Sequence, residues 1–268
     1  MCAYTTIERA DDGPVTTVWL NRPDVRNAIN ATMIAELTDC FTQIAADRHV
    51  RVVILAGRGP VFCAGADVRW LQASIDLDAR ANRQDAWTLA RLYHIVNTLP
   101  QPVIARVHGA AFGGAMGLCA VADIVVADPS TKMGFTETRL GIIPAVIGPF
   151  VARKIGETHM RRFFLTGEIF TAETGARIGL VHDLVPMDAL DAHIGQIVRR
   201  ILACGPQATR AAKQFIHEIV QLPFRSAVAY GVETNARLRI SPEGQEGLRA
   251  FLEKRKPAWH PDVQGADR

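Results

Sequence analysis

Residues 102–128 read PVIARVHGAAFGGAMGLCAVADIVVAD, and the order of signals within them decides the fold. Pro102 followed by the apolar Val103-Ile104-Ala105 opens a β-strand. The Gly-rich stretch 109–117 then turns the chain into a short helix, and Asp123-Ile124-Val125-Val126-Ala127-Asp128 reads as the next strand. Strand, turn, short helix and strand are the grammar of an α/β protein. Toward the N-terminus the same grammar recurs. It shows in β-branched Val15 to Leu20, in an amphipathic run from Ala31 to Ala46, and in Val52 to Ala56 closed by Gly57, without sequence self-similarity. Toward the C-terminus strand signals vanish after about residue 188. Segments 189–203, 207–220, 225–239 and 243–254 each carry a helical period, separated by Gly205-Pro206, Pro223 and Pro242. The expected organisation is therefore an α/β core over residues 1–200 and a helical region over 201–268, with no Pro/Ser-rich linker between them and a frayed tail from Pro257 onward.

Composition narrows the function classes. With 268 residues and 49% hydrophobic content, the chain is long enough to bury a full core. A net charge of +3 from 30 basic and 27 acidic residues implies neither nucleic acid nor an anionic membrane as partner. The cysteines Cys2, Cys40, Cys63, Cys119 and Cys204 are odd in number, widely spaced and form no C-x-x-C pair, which argues against a disulfide framework or a zinc site and fits a reducing cytosol. The N-terminus, Met1 to Glu8, has no basic segment followed by an apolar one, and no stretch runs long enough without charge to span a bilayer. A soluble, cytoplasmic, untargeted protein is the expectation.

Several chemistries lack their residues. None of the serines at 74, 130, 226 and 241 sits in G-x-S-x-G, there is no G-x-x-x-x-G-K-[ST], and His217-Glu218 lacks the second histidine of H-E-x-x-H. Glycines at 109, 113, 114 and 117 do not give the dinucleotide spacing G-x-G-x-x-G. What remains is a pair of small-residue turns, each after a β-like run: Phe62-Cys63-Ala64-Gly65-Ala66-Asp67-Val68, and His108 through Leu118. Small residues let a ligand approach main-chain N–H groups, and a following helix adds the positive end of its dipole. Such turns suit an anion that develops during reaction, an enolate oxygen among them. Either turn alone is equally the sequence of a tight structural corner.

The combination is more specific. Asn21-Arg22-Pro23-Asp24-Val25-Arg26-Asn27-Ala28-Ile29-Asn30, then the Ala64–Val68 turn, then Gly113-Gly114, then Phe135 through Pro144 resemble, in order, the motifs of the crotonase (enoyl-CoA hydratase/isomerase) superfamily. The resemblance spans most of the chain and extends to Ser241–Gly247 and Ala250–Pro257. It implies a spiral of ββα units with a C-terminal helical trimerisation region, assembled as a homotrimer or a dimer of trimers. It also implies an acyl-CoA thioester as substrate and no cofactor beyond the CoA the substrate carries. The pattern sets the oxyanion donors at the N–H groups of Ala66 and Gly114. It lines the CoA path with Arg26, Ala28, Ala64, Asp67 and Val68, and brings Lys254 from the C-terminal helix. Glu137 falls on the position of a catalytic glutamate.

Hydratases of this family use a second glutamate on the helix after Gly113-Gly114, and that position is Gly117. One reading is hydration and dehydration with Glu137 alone. A second is a Δ3,Δ2-enoyl-CoA isomerase, which moves one proton with one base, and a third is a non-catalytic acyl-CoA binder. Gly113 to Leu118 together with Glu137 to Val151, in which Pro144-Ala145-Val146-Ile147 replaces Pro-Gly-x-Gly, look most like bacterial 3-methylglutaconyl-CoA and isohexenylglutaconyl-CoA type hydratases. A dicarboxylic substrate of that kind needs a cation, and Arg69 and Arg139 are candidates. His108 reads as a packed structural histidine, and Cys63 and Cys119 as small core fillers.

Overall fold

The structure is a computed structural model that describes residues 4–264. Residues 1–3, which hold Cys2 and the start of the segment read for targeting, and residues 265–268 of the tail lie outside the described residues.

The chain opens with an antiparallel pair, β1 (Ile7–Asp12) and β2 (Val15–Leu20). In β2, Thr16, Val18 and Leu20 are buried while their neighbours are half-buried, the two-residue period of a strand with a core face. Next comes α1 (Ala31–Ala46), started by Asn30, whose side chain accepts a hydrogen bond from the Met33 N–H at 2.9 Å. Its buried residues, Met33, Ile34, Leu37, Cys40, Phe41 and Ile44, fall at the three- and four-residue spacing that puts them on one helical face. The succeeding elements are β3 (Val52–Gly57), α2 (Val68–Ile75), α3 (Ala79–Thr98), β4 (Val103–Val107), β5 (Ala110–Phe112), α4 (Gly114–Val121), β6 (Ile124–Ala127) and β7 (Lys132–Gly134). After them stand α5 (Gly148–Thr166), interrupted at non-helical Gly156, then β8 (Ile169–Thr171), α6 (Ala172–Arg177) and β9 (Asp183–Leu184).

Two sheets result. The larger has the order β1-β2-β3-β4-β6-β9, parallel from β2 onward. All five residues of β4 are buried, as expected of a parallel strand covered on both faces. The smaller has the order β5-β7-β8, with β5 and β7 parallel. The remaining chain is helical: α7 (Leu190–Ala203), α8 (Pro206–Ile219), α9 (Phe224–Arg239), α10 (Pro242–Leu252) and α11 (Pro261–Gln264).

The chain divides into two compact units. One runs to Leu99 and from Val103 to Ile194; the other comprises Pro100–Pro102 and everything from Gly195. The first holds both sheets, and the second is helical. The tail expected to fray from Pro257 is ordered as far as it is described, because the Trp259 indole N–H donates to the Ala203 carbonyl at 3.2 Å and α11 follows it. Among the described residues no helix is long and apolar enough to cross a membrane.

Candidate active site

Backbone ladders put the two small-residue turns side by side. The Ile29 N–H donates to the Gly65 carbonyl and the Asp67 N–H to the Ile29 carbonyl, both at 2.8 Å, a parallel bridge that flanks Ala66. One step earlier, the Cys63 N–H donates to the Ala110 carbonyl (3.1 Å) and the Phe112 N–H to the Cys63 carbonyl (3.2 Å). The segment 62–66 is thus pinned between residues 27–29 and β5. Gly65, at φ 100°, makes the turn, and a Cβ there would stand 3.1 Å from the Phe112 carbonyl oxygen, so the approach requires glycine. Asn27, fully buried at φ 55°, locks this junction: its Oδ1 accepts from the Arg22 N–H (2.8 Å). Its Nδ2 donates to the carbonyls of Arg58, Val61 and Phe62 at 2.8, 3.0 and 3.1 Å.

The third part arrives through the smaller sheet. Phe112 of β5 lies opposite Gly134 of the parallel strand β7, so the chain leaves both strands at the same end. β5 runs into Gly113-Gly114, and β7 into Glu137, the first residue of a 3-10 turn. The Gly113 N–H donates to the Gly134 carbonyl at 3.1 Å. A Cβ on Gly113 would stand 3.2 Å from Glu137 Oε1 and 4.0 Å from the Gly65 Cα, so the Glu137 carboxylate and the Gly65 turn both border Gly113.

Ala66, Gly114 and Glu137 line one cavity of about 190 Å³. The rest of its lining is apolar: Ile29, Trp70, Leu71, Leu89 and residues 142–147. The N–H groups of Ala66 and Gly114 take no acceptor among the described residues, and Gly114 is the first residue of α4, where an N–H has no intrahelical partner. Glu137 Oε2 is buried without a hydrogen-bond partner, and burial raises the Glu137 pKa above the ordinary glutamate value. The arrangement offers two open donors for a developing oxyanion and one carboxyl ready to exchange a proton beside them.

Gly117 is enclosed. A Cβ there would meet Ile147 Cγ2 at 2.4 Å and the Tyr93 ring at 2.7 Å, so the volume into which a residue-117 side chain would project is already filled. Tyr93, which the sequence reading did not single out, is fully buried on α3 and its hydroxyl donates to the Gly114 carbonyl at 2.8 Å.

Of the residues expected along a CoA path, Ala64, Asp67 and Val68 belong to the turn around Ala66, and Arg26 and Ala28 to the segment bridged to it. The Ala64 N–H donates to the Arg26 carbonyl at 2.9 Å; Arg26 is exposed in a left-handed turn, Ala28 is buried, and Val68 is exposed at the head of α2. Asp67 is committed locally. Its carboxylate caps α2 through the Arg69 N–H (2.8 Å) and pairs with Arg22 Nη1 (2.8 Å). Burial pulls its pKa up, but Arg22 and the backbone donors outweigh burial and hold it below the ordinary range. Lys254 lies in the second unit, after α10, at φ 54°. Arg69 and Arg139 are exposed and line no part of the cavity; the Arg139 chain lies against Gly167. His108 Nε2 meets the Gly59 carbonyl at 2.9 Å and Nδ1 meets Arg106 at 3.3 Å, a packed histidine whose pKa is lowered by burial. The thiols of Cys63 and Cys119 are fully buried, which pushes each pKa up to about 12, the state of core fillers. Among the described residues no cluster of three or more His, Cys, Asp or Glu is placed to hold a metal ion.

Comparison with known proteins relates the chain and its fold to one family. Residues 11–262 match the enoyl-CoA hydratase/isomerase family model. The chain is similar to the 2,3-dehydroadipyl-CoA hydratase of Escherichia coli, 31% identical over 91% of this chain and 94% of that one. It is also similar to the crotonyl-CoA hydratase of Syntrophomonas wolfei, 30% identical over 95% and 97%. Its fold matches the crystal structure of an enoyl-CoA hydratase from Shewanella pealeana with a TM-score of 0.92 and 35% identity, covering 96% of both chains.

Proposed function

The chain belongs to the enoyl-CoA hydratase/isomerase family, and on that footing we propose that it adds water reversibly to an α,β-unsaturated acyl-CoA thioester, with Ala66 and Gly114 N–H groups holding the enolate oxygen. The observation that carries the reading is the cavity lined together by Ala66 and Gly114, whose N–H groups take no acceptor among the described residues, and by Glu137, whose Oε2 has no hydrogen-bond partner.

With no side chain at residue 117, one carboxyl serves both proton transfers. Ionised Glu137 takes a proton from water as the hydroxyl oxygen bonds to Cβ, and the double-bond electrons move onto the thioester oxygen between the two N–H groups. The enolate then re-forms its carbonyl as Cα takes the proton back from Glu137. One water is consumed and Glu137 ends ionised, as it began. CoA runs past Arg26, Ala28 and the 64–68 turn in this reading.

The single carboxyl also favours a second reading, Δ3,Δ2-isomerisation, in which Glu137 removes the α proton and returns it at the γ carbon. Purified enzyme given crotonyl-CoA and a 3-enoyl-CoA separates them. Loss of conjugated-enone absorbance with the first is expected, and a gain of absorbance with the second alone overturns hydration. The apolar wall supports a short apolar acyl group. The rival is the dicarboxylic glutaconyl type, carried by the likeness at Pro144 to Ile147, and 3-methylglutaconyl-CoA in the same assay decides it. Glu137→Gln is expected to lose turnover by about 10²–10⁴-fold while keeping CoA binding, and unchanged turnover removes Glu137 from the mechanism.

The proposal extends to a homotrimer or dimer of trimers in the cytoplasm. Apolar residues on the helical unit left exposed in the single chain, Phe224, Ile240 and Phe251 among them, support the assembly. Free thiols at Cys40, Cys63, Cys119 and Cys204 support the reducing compartment.

A further inference from the structure

A buried tyrosine that fills the space beside Gly117 and also bonds the Gly113-Gly114 turn calls for a role beyond packing. α3 carries Tyr93 into the core behind the Gly113-Gly114 turn, where its ring packs 6.1 Å from that of Phe150. Two faces of the residue matter. The ring closes the space at Gly117, as Ile147 does from the other side, so the position that would carry a second carboxylate holds an apolar plug. The hydroxyl stands 3.1 Å from where a Gly114 Cβ would be and donates to the Gly114 carbonyl at 2.8 Å.

That carbonyl begins α4. The Gly113 carbonyl accepts from the Met116 N–H at 2.9 Å and the Gly114 carbonyl accepts from Tyr93, so the carbonyls on both sides of the Gly114 N–H are held, and Gly114 lines the cavity. Neither Gly113 nor Gly114 has a Cβ to restrict the turn, so hydrogen bonds hold it: the Gly113 N–H to the Gly134 carbonyl, the start of the α4 ladder, and the bond from Tyr93. An oxyanion donor works only when its direction is fixed before charge develops.

We infer that Tyr93 is a positioning residue of the reaction: its phenol occupies the volume beside Gly117, and its hydroxyl, donated to the Gly114 carbonyl, braces the turn that carries the Gly114 N–H. Burial raises the phenol pKa well above its ordinary value, with Cys63, Glu137 and Cys119 adding to the effect, so the hydroxyl stays protonated and remains a donor throughout the working range. The role rests on the hydratase reading, because it needs a thioester oxygen at the Gly114 N–H.

Tyr93→Phe removes one oxygen and keeps the ring. Two measurements on the intact enzyme test it. One is steady-state hydration of crotonyl-CoA. The other is the infrared carbonyl stretch of bound butyryl-CoA labelled with carbon-13 at the thioester, a saturated probe that does not turn over. The parent enzyme is expected to shift that stretch to lower frequency. Tyr93→Phe is expected to lose at least half of the shift and to lower kcat about tenfold, with KM within about threefold and the thermal midpoint within a few degrees. 3-Fluorotyrosine at position 93, which keeps ring and hydroxyl, is expected to restore kcat to within about threefold of the parent. A Tyr93→Phe enzyme with the parent's carbonyl shift and with kcat within about twofold overturns the role of Tyr93 alone. Absence of a shift in the parent overturns the oxyanion site itself, and the role of Tyr93 with it.

Discussion

Glu137 pairs a buried, partnerless Oε2 with a raised pKa, and both properties are costs to the fold that a surface glutamate would not carry. Because folding favours its protonated form, the stability linked to this group is fully present below the unfolded glutamate pKa and is lost as pH rises through the higher folded value. Glu137→Gln is therefore expected to raise the thermal midpoint at about pH 8 and to leave it nearly unchanged near about pH 4. A midpoint lowered at about pH 8 would show that the carboxylate is stabilised by contacts absent from this site. Asn27 works in the opposite sense. Replacement by Ala strands the Arg22 N–H and the carbonyls it now serves, and also puts a residue with no local side-chain hydrogen bond at φ 55°. A loss of about 2–4 kcal/mol in urea unfolding is expected for Asn27→Ala. Asn27 stands inside the motif that carried the family likeness, yet no spacing rule marks its side chain as the clamp; only the tertiary approach of residues 58–62 reveals it.

At the scale of elements, α4 and α3 decide what chemistry the site can hold. Gly117→Ala forces a methyl to within 2.4 Å of Ile147 and 2.7 Å of Tyr93, with no open side to relieve it. It is expected to destabilise by about 1–3 kcal/mol, read as a lower urea midpoint at unchanged slope. A neutral result would mean that Tyr93 and Ile147 part easily and that the second carboxylate position is open. The sequence made α1, β2, β3, β4, β6 and the long C-terminal helices legible, with ends within about two residues, because each buries enough apolar residues at one period. β1 was missed for a physical reason: within IERADD only Ile7 is buried, and the strand is defined by its pairing with β2 at the sheet edge. β5, β7 and β8, at three residues each, are too short to show any period. α3 buries only Leu92, Tyr93 and Val96 in twenty residues, so its amphipathic signal is thin, and the tyrosine behind the Gly113-Gly114 turn went unread with it. The absent second glutamate was visible as Gly117; what fills its place was not.

Across the whole molecule, the site is a product of backbone topology. Segments from residues 27–29, 62–66 and 110–114 are held by main-chain hydrogen bonds, and the parallel pairing of β5 and β7 brings Glu137 to the same end. Side-chain chemistry enters almost only at Glu137, which is why the residues alone left each small-residue turn open to a structural reading and it took the family likeness to single out Ala66 and Gly114 as the proposed donors. The assembly can be weighed independently: sedimentation equilibrium is expected to return three or six chain masses, and a monomer at micromolar concentration would contradict the proposed trimer. The central claim is that an N–H group, and not a side chain, holds the reacting oxygen. Replacing Ala66 by its α-hydroxy acid counterpart turns that N–H into an ester oxygen while leaving the methyl side chain unchanged. The account predicts that the ester enzyme loses about 10²–10³-fold in kcat for crotonyl-CoA hydration, with KM little altered. An ester enzyme that turns over like the parent would contradict it.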